Sequence, residues 1–267
     1  MKKEKHFDFN KIENINVDIV IGLGPTCRAA AALKRNNLRI FSSPLDWMLN
    51  YSLSDVITLL KEKGKNFFSD CSEAKEYSSE HNTGIIDNRN GMISMHDYPK
   101  DRPIDKAGKY FSKKYKYKFK KLDKLLKRAK SICIVTNREI FIDEFQNFIK
   151  EFVQLYKFKQ IYFINIFDTQ TQQKSLEIYY DNNVTYYICN FDDAHEFGRE
   201  KAQNPYFWLG NVREWDNILK KISVNKDFSD RYKSEKVIFN TEYDFSLNET
   251  YYVITIFGKQ FKFKVNV

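Results

Sequence analysis

The sequence predicts an α/β fold with a mainly parallel, Rossmann-like sheet, flanking helices, an inserted β-hairpin and a C-terminal antiparallel β appendage. Three observations carry this expectation. Residues 131–136 (SICIVT), 160–167 (QIYFINIF) and 184–189 (VTYYIC) are continuous apolar runs. They lack the alternation of a strand with one wet face, so they read as strands buried on both faces. Between the first two, Phe141, Phe145, Phe148, Ile149, Phe152, Val153 and Tyr156 recur at helical spacing within residues 139–156, which gives strand, helix, strand. Nearer the start, VDIVIGLG (residues 17–24) is a β-rich run ending in glycines, and alanine-rich residues 27–35 follow it. That order reads strand, tight turn, helix.

The remaining elements depart from this pattern. Residues 83–96 (TGIIDNRNGMISMH) hold two β-prone runs around Asn88-Arg89-Asn90-Gly91, a good hairpin turn because Asn and Gly tolerate positive φ. Residues 237–267 are aromatic and β-branched, with Gly258-Lys259 between two runs, and read as an antiparallel appendage packed on a main domain of residues 1–236. Residues 106–130 carry 12 basic side chains and one acid, Asp123. Phe111, Tyr115, Phe119, Leu122, Leu126 and Ala129 make one apolar helix face there, with lysines around the rest. The segment is either a core-packed helix with a solvated face or a surface that attracts polyanions, salt-sensitively, such as nucleic acid, anionic lipid or phosphorylated glycan.

Composition bounds the function. With 267 residues, 42% of them hydrophobic and 16% aromatic, the chain can bury a sizeable core, which excludes a disordered or disulfide-stapled protein. No apolar run reaches the roughly 18–20 residues of a transmembrane helix, and no apolar stretch follows the basic start, so a cytoplasmic protein is expected. The net charge of +9 permits anionic partners without requiring them. Cys27, Cys71, Cys133 and Cys189 show no paired spacing, so no metal site is signalled.

Cys27 opens the first helix directly after Gly22-Leu23-Gly24-Pro25-Thr26. Free N–H groups and the helix dipole there favour an anion, so a thiolate would be stabilised and its pKa lowered. The same N–H groups could serve an oxyanion or a phosphate, and a free cysteine is often simply a small buried residue. Cys133 and Cys189 fall inside strand runs and read as core, whereas Cys71 reads as surface. A dinucleotide fingerprint would need a third glycine where Cys27 stands. His96, at the end of the second hairpin arm, is better placed as a general base than His6 near the terminus or His81 in a polar stretch. His195, with acidic neighbours, competes as base or metal ligand. Asp97 should not orient His96 unless the strand ends there, because adjacent side chains of a strand face opposite ways. Arg39, Asp46 and Trp47 form a turn that is either a ligand-binding loop or a rigid structural corner. Asn137 and Arg138, directly after a strand, could hold an anionic group.

The residues IGLGPTCRAAAALKRNNLR, then SSPLDWM, and later His96-Asp97-Tyr98 resemble the signature of a bacterial family described as putative papain-like cysteine peptidases. Matching positions are Leu23, Gly24, Cys27, Ala30, Leu33, Leu38, Arg39, Ser42, Pro44, Asp46 and Trp47; Gly22 and Leu45 replace the usual Ser and Phe. The likeness is strongest over residues 18–50 and 91–99, and thinner through Thr136-Asn137-Arg138 and Trp208 to Trp215. It implies Cys27 as nucleophile on a helix and His96 as its base on a mostly antiparallel sheet, with Asp46, Asp97 or Asn137 orienting. Substrate contacts are expected from Gly24, Arg39, Trp47, Asn137 and Arg138. The expected function is a cysteine-dependent hydrolase or acyl transferase acting on an amide, ester or thioester of a small molecule, peptide or glycan, without metal or cofactor. A glycan-modifying transferase using a nucleotide-sugar donor is the alternative, and a noncatalytic anion-binding module the third.

Overall fold

A computed structural model of the chain describes residues 1–139, 141–200, 202, 204–234, 237–244, 249–256 and 259–264. In chain order the elements are β1 (Lys2–His6), β2 (Ile15–Val17), β3 (Ile19–Gly22), α1 (Arg28–Arg35), β4 (Met48–Leu49), α2 (Leu53–Lys61), β5 (Cys71–Glu73), β6 (Asn82–Asp87) and β7 (Ile93–Pro99). Then come α3 (Ala107–Arg128), β8 (Ser131–Thr136), α4 (Ile142–Leu155), β9 (Gln160–Asp168), β10 (Ser175–Asp181), β11 (Val184–Phe191), α5 (Val212–Leu219), β12 (Ile222–Val224), α6 (Lys226–Ser234), β13 (Val237–Asp244), β14 (Glu249–Ile256) and β15 (Lys259–Lys264). The chain divides into two compact units, Met1–Ser223 and Val224–Val267.

The first unit is built on a six-stranded sheet in the order β1-β10-β11-β9-β8-β3. Strands β3, β8, β9 and β11 run parallel, in chain order across the sheet, while β10 and β1 close one edge antiparallel. The expected mixed α/β class with a largely parallel central sheet is therefore present. The continuous apolar runs explain it: Ile132 to Val135 of β8 and Phe163 to Ile166 of β9 are buried without alternation, as a strand covered on both faces requires. One edge strand, β1, lacked a signal. Lys2–His6 has no apolar residue and pairs with β10 through its backbone, so His6 lies in a strand and not at a loose terminus.

Helix α4 covers most of the expected amphipathic segment, and Phe145, Phe148, Ile149 and Phe152 are buried. Its first apolar position is a correction: Phe141 stands before the helix in extended backbone and is 80% exposed, and Val153 is exposed as well. Helix α3 buries Phe111, Tyr115, Phe119, Leu122, Leu125 and Leu126, as its three- and four-residue steps dictate.

The inserted hairpin is larger than its sequence suggests. Strands β6 and β7 turn through Asn88 to Gly91, with Gly91 at φ +75°, and are flanked by the short strands β5 and β4 in an antiparallel sheet ordered β4-β7-β6-β5. Asp87 is buried beneath the turn, where its carboxylate accepts the N–H groups of Phe68 and Arg89.

In the second unit β13, β14 and β15 pair antiparallel as a separate three-stranded sheet. The turn expected at Gly258 lies outside the described residues, as do residues 265–267 of the appendage. Among the described residues no helix is long and apolar enough to cross a membrane.

Candidate active site

The site forms where the parallel sheet meets the antiparallel one. At the carboxyl end of β3, Leu23 donates its N–H to Val135, and its carbonyl accepts from Thr136 Oγ1 and from Arg138 Nε, both at 3.0 Å. The chain then passes so close to the next strand end that a Cβ on Gly24 would lie 2.3 Å from Asn137 Oδ1. After Pro25 and Thr26 the backbone turns into α1 with Cys27 at the N-cap, where no side chain caps the helix. Small side chains let α1 lie against β3, with Ala29, Ala30, Ala32 and Leu33 buried. Arg28 pins the start of the helix to the chain near Trp208, donating to its carbonyl at 2.8 Å and pairing with buried Asp193. Asp193 in turn accepts from the Trp215 indole and the Asn211 amide, both at 2.9 Å.

His96 arrives on β7, in the antiparallel sheet. Segment 46–51 joins that sheet to the cysteine loop. Met48 and Leu49 pair with Ser94 and Ile93 of β7. Asn50, in the left-handed region at φ +53°, donates its backbone N–H to Pro25 at 3.1 Å and its side-chain amide to the Gly91 carbonyl at 3.0 Å. Asparagine suits that backbone, and one residue thus ties the cysteine loop to the hairpin. As a result Cys27 Sγ and His96 Nε2 lie 3.8 Å apart, within reach of a sulfur–nitrogen hydrogen bond. The thiol is buried, at 8% exposure, while His96 remains open to solvent.

Burial dominates the electrostatics of the pair. It pushes the Cys27 thiol up to about 11, against the pull of the residue's own backbone N–H, and the negative charge of Asp97 adds to the rise. This reverses the lowering expected from the helix start, because desolvating the thiolate costs more than the helix end returns. Partial burial holds His96 below the ordinary histidine value, opposed by Asp97. At neutral pH the pair is therefore a thiol facing an uncharged imidazole.

Asp97 stands next to His96 in sequence but is engaged elsewhere. Its oxygens accept from Lys114 Nζ at 2.6 Å, from the Tyr115 hydroxyl and from Ser94 Oγ at 3.2 Å. Burial alone would raise its pKa, yet Lys114, Tyr115 and Lys118 together hold it below the ordinary carboxylate value. β7 continues to Pro99, but its pairing with β6 shifts register between Ser94 and Tyr98, so regular alternation is broken at His96 and Asp97, and Ser94 Oγ reaches the Asp97 carboxylate. Trp47 instead packs edge-on against His96, with ring centroids 6.1 Å apart. Asp46 is buried in its turn, accepting the Ser43 N–H at 2.8 Å and Arg39 Nη1 at 3.1 Å. Desolvation raises it to about 6 despite both donors.

The structure thus gathers Cys27, His96, Asp97, Trp47, Arg39 and Asp46 around one locus, with Gly24 and Asn137 behind the cysteine loop. Arg138 is buried and gives Nε to Leu23 and Nη1 to the Tyr51 carbonyl at 2.6 Å, so its bonds hold backbone. His195 is buried in a turn of its own, with Nδ1 accepting the Phe197 N–H at 3.3 Å. His81 is exposed. The sequence does not single out Lys114, Lys118 or Asn50, and marks Tyr115 of α3 only as part of the apolar helix face. The available signal was helical phase: Lys118 falls three residues after Tyr115 and four before Leu122, on the edge of the apolar stripe. Among the described residues no group of three or more His, Cys, Asp or Glu is placed to hold a metal ion.

A family model described as "Putative papain-like cysteine peptidase" matches residues 18–181 of the chain, a span that includes both Cys27 and His96. No curated protein and no solved structure matches it.

Proposed function

Because the chain belongs to the family described as putative papain-like cysteine peptidases, we propose that it is a cysteine hydrolase that cleaves an amide, ester or thioester, with Cys27 as nucleophile and His96 as general base. The observation that carries the proposal is the 3.8 Å approach of Sγ, at the start of α1, to Nε2 on β7. Family membership supports it at the level of cysteine hydrolase chemistry.

The uncharged resting pair defines the sequence of steps. His96 Nε2 takes the thiol proton as Sγ bonds to the carbonyl carbon, and the carbonyl π electrons move to its oxygen. The first amide groups of α1, which lack intrahelical acceptors, are suited to stabilise that oxyanion. Collapse restores the carbonyl and breaks the bond to the leaving group, which takes the proton from His96. Water then attacks the thioester with His96 again as base, and the acid leaves as the thiol is restored. Burial of Cys27 makes proton transfer to His96 necessary at neutral pH, since the thiolate is not formed in advance. Trp47 serves as a positioning residue for the imidazole.

The test is mass spectrometry of the protein after incubation with activated esters, thioesters and peptide amides, beside turnover of the same panel. An acyl adduct on Cys27 that disappears in Cys27→Ser, and turnover lost in Cys27→Ser and His96→Ala, would support the proposal. Turnover indifferent to both substitutions would overturn it.

A further inference from the structure

Helix α3 carries more charge than its packing uses. Residues 106–130 hold 12 basic side chains and one acid, a net +11, against +9 for the whole chain, so the remaining residues sum to −2. At about 100° per residue, Lys109, Lys113, Lys116, Lys120, Lys124 and Lys127 fall within an arc of about 80° and form one row about 27 Å long. All six are exposed, and the buried Phe111, Tyr115, Phe119 and Leu122 take the opposite side. Lys127 pairs with Asp123 at 2.7 Å. Lys109, Lys113, Lys116 and Lys120 face no carboxylate within ion-pair distance among the described residues.

This row works against the helix, because like charges three and four residues apart repel. Solubility would be served as well by charges spread over the surface, yet the rest of the chain is on balance acidic. An anion laid along the row removes the repulsion, and a row of this length calls for a polyanion.

Shape and one exposed ring narrow the choice. A bilayer presents a plane of headgroups, and a helix lying on it buries an apolar face there. The apolar face of α3 is already packed in the core. A single row of cations matches a single chain of phosphates instead. Tyr117 flanks the row, four residues after Lys113 and three before Lys120, and is 67% exposed. A ring beside a line of cations lets an unpaired base stack while its backbone follows the charges.

We propose that the exposed side of α3 binds single-stranded nucleic acid without sequence preference, with Lys109, Lys113, Lys116 and Lys120 on phosphates and Tyr117 stacked on a base. The proposal is independent of the chemistry at Cys27.

The test is fluorescence anisotropy of the full chain with a labelled oligothymidylate long enough to span the row. With four phosphates neutralised, affinity should fall on the order of 50-fold as salt rises from about 50 to about 200 mM. Lys109→Gln/Lys113→Gln/Lys116→Gln/Lys120→Gln should remove most of the binding and flatten its salt dependence. The same change at exposed Lys34, Lys65, Lys159 and Lys220, which lowers the net charge equally, should leave affinity within about twofold. Tyr117→Ala should weaken binding about tenfold and Tyr117→Phe should retain it. Matching far-UV circular dichroism of parent and variants keeps folding out of the comparison. Equal losses in the two quadruple variants would reduce the binding to net charge and overturn the proposal. Unchanged affinity in Tyr117→Ala, or tighter binding of a duplex, would overturn the assignment to a single strand. Capture by phosphatidylserine vesicles without oligonucleotide binding would overturn it in favour of a membrane, and binding to none of these probes would leave the row a solvated face.

Discussion

The Trp47 ring stands edge-on to His96, with 83° between the ring planes. Edge-to-face contact fixes the tilt of an imidazole without a hydrogen bond. Among the described residues no carboxylate performs that task, since Asp97 is taken by Lys114, Tyr115 and Ser94. Trp47 is itself held from its other side by the cation–π contact with Arg39, at 5.8 Å. The Arg39–Asp46 turn and the imidazole are therefore mechanically linked.

Trp47→Ala should slow alkylation of Cys27 by iodoacetamide about tenfold at neutral pH, where proton transfer to His96 is required. At about pH 11, where the thiolate forms without a base, the variant should match the parent. Trp47→Phe should keep most of the neutral-pH rate. A loss of equal size at both pH values would mean that Trp47 acts on access to Cys27 and not through His96.

The Cys27 thiol itself gives a pH signature. Its folded pKa of about 11 lies above the unfolded range, so unfolded chains ionise first as pH rises. Stability from this group is complete below about pH 8.5 and is lost as pH climbs through about 11. Urea unfolding at pH 8 and pH 10 should show a steeper decline for the parent than for Cys27→Ser. In the same range His96→Ala should lose the neutral-pH alkylation of Cys27 but retain its rise toward high pH. Parallel stability profiles would show that Cys27 ionises as readily in the folded protein as in the unfolded chain.

The parallel strands were legible because burial on both faces leaves an unbroken apolar run, as in SICIVT, which survives any detail of packing. β10 carried less signal: SLEIYYD has charges at its third and last positions in a half-buried strand, and its partner β1 offers backbone and lysine contacts but no apolar side chain. Cys27 and His96 could be picked out because a residue after a strand and one near a hairpin end are positioned by local geometry. Their surroundings could not. Which lysines of α3 turn inward depends on how the helix sits against β7, and Asn50 matters through carbonyls 25 and 91, which no side-chain pattern marks. The sign of the Cys27 shift was also beyond the sequence, because a helix start argues for lowering and only the packed site reveals the desolvation that outweighs it.

Asp46 should make stability pH-dependent in the opposite range. Its folded pKa of about 6 lies above the ordinary 3.8, so the folded protein takes up this proton first as pH falls. The contribution is complete below about pH 4 and lost as pH rises through about 6. From pH 7 to pH 5 the parent should gain about 1 kcal/mol relative to Asp46→Asn, read from urea midpoints. Curves that stay parallel across this interval would show that Arg39 and the Ser43 amide fully offset burial.

Gly24 and Asn137 provide the last test, because their contact sets the height of the cysteine loop above the strand ends. A Cβ on residue 24 would overlap Asn137 Oδ1 at 2.3 Å and press on Ala29 Cβ at 3.1 Å. Gly24→Ala should therefore cost about 1–3 kcal/mol, as overpacking does, and should displace Cys27 from His96. Asn137 Oδ1 is buried without a hydrogen-bond partner among the described residues, so Asn137→Ala sacrifices no bond through that atom. The double variant Gly24→Ala/Asn137→Ala should recover about 1 kcal/mol of the cost, a coupling typical of residues in contact. Part of the neutral-pH reactivity of Cys27 should return with it. Strict additivity would locate the strain at Ala29 in α1 instead. Recovery of stability without recovery of reactivity would mean that the loop can settle without restoring the Cys27–His96 approach.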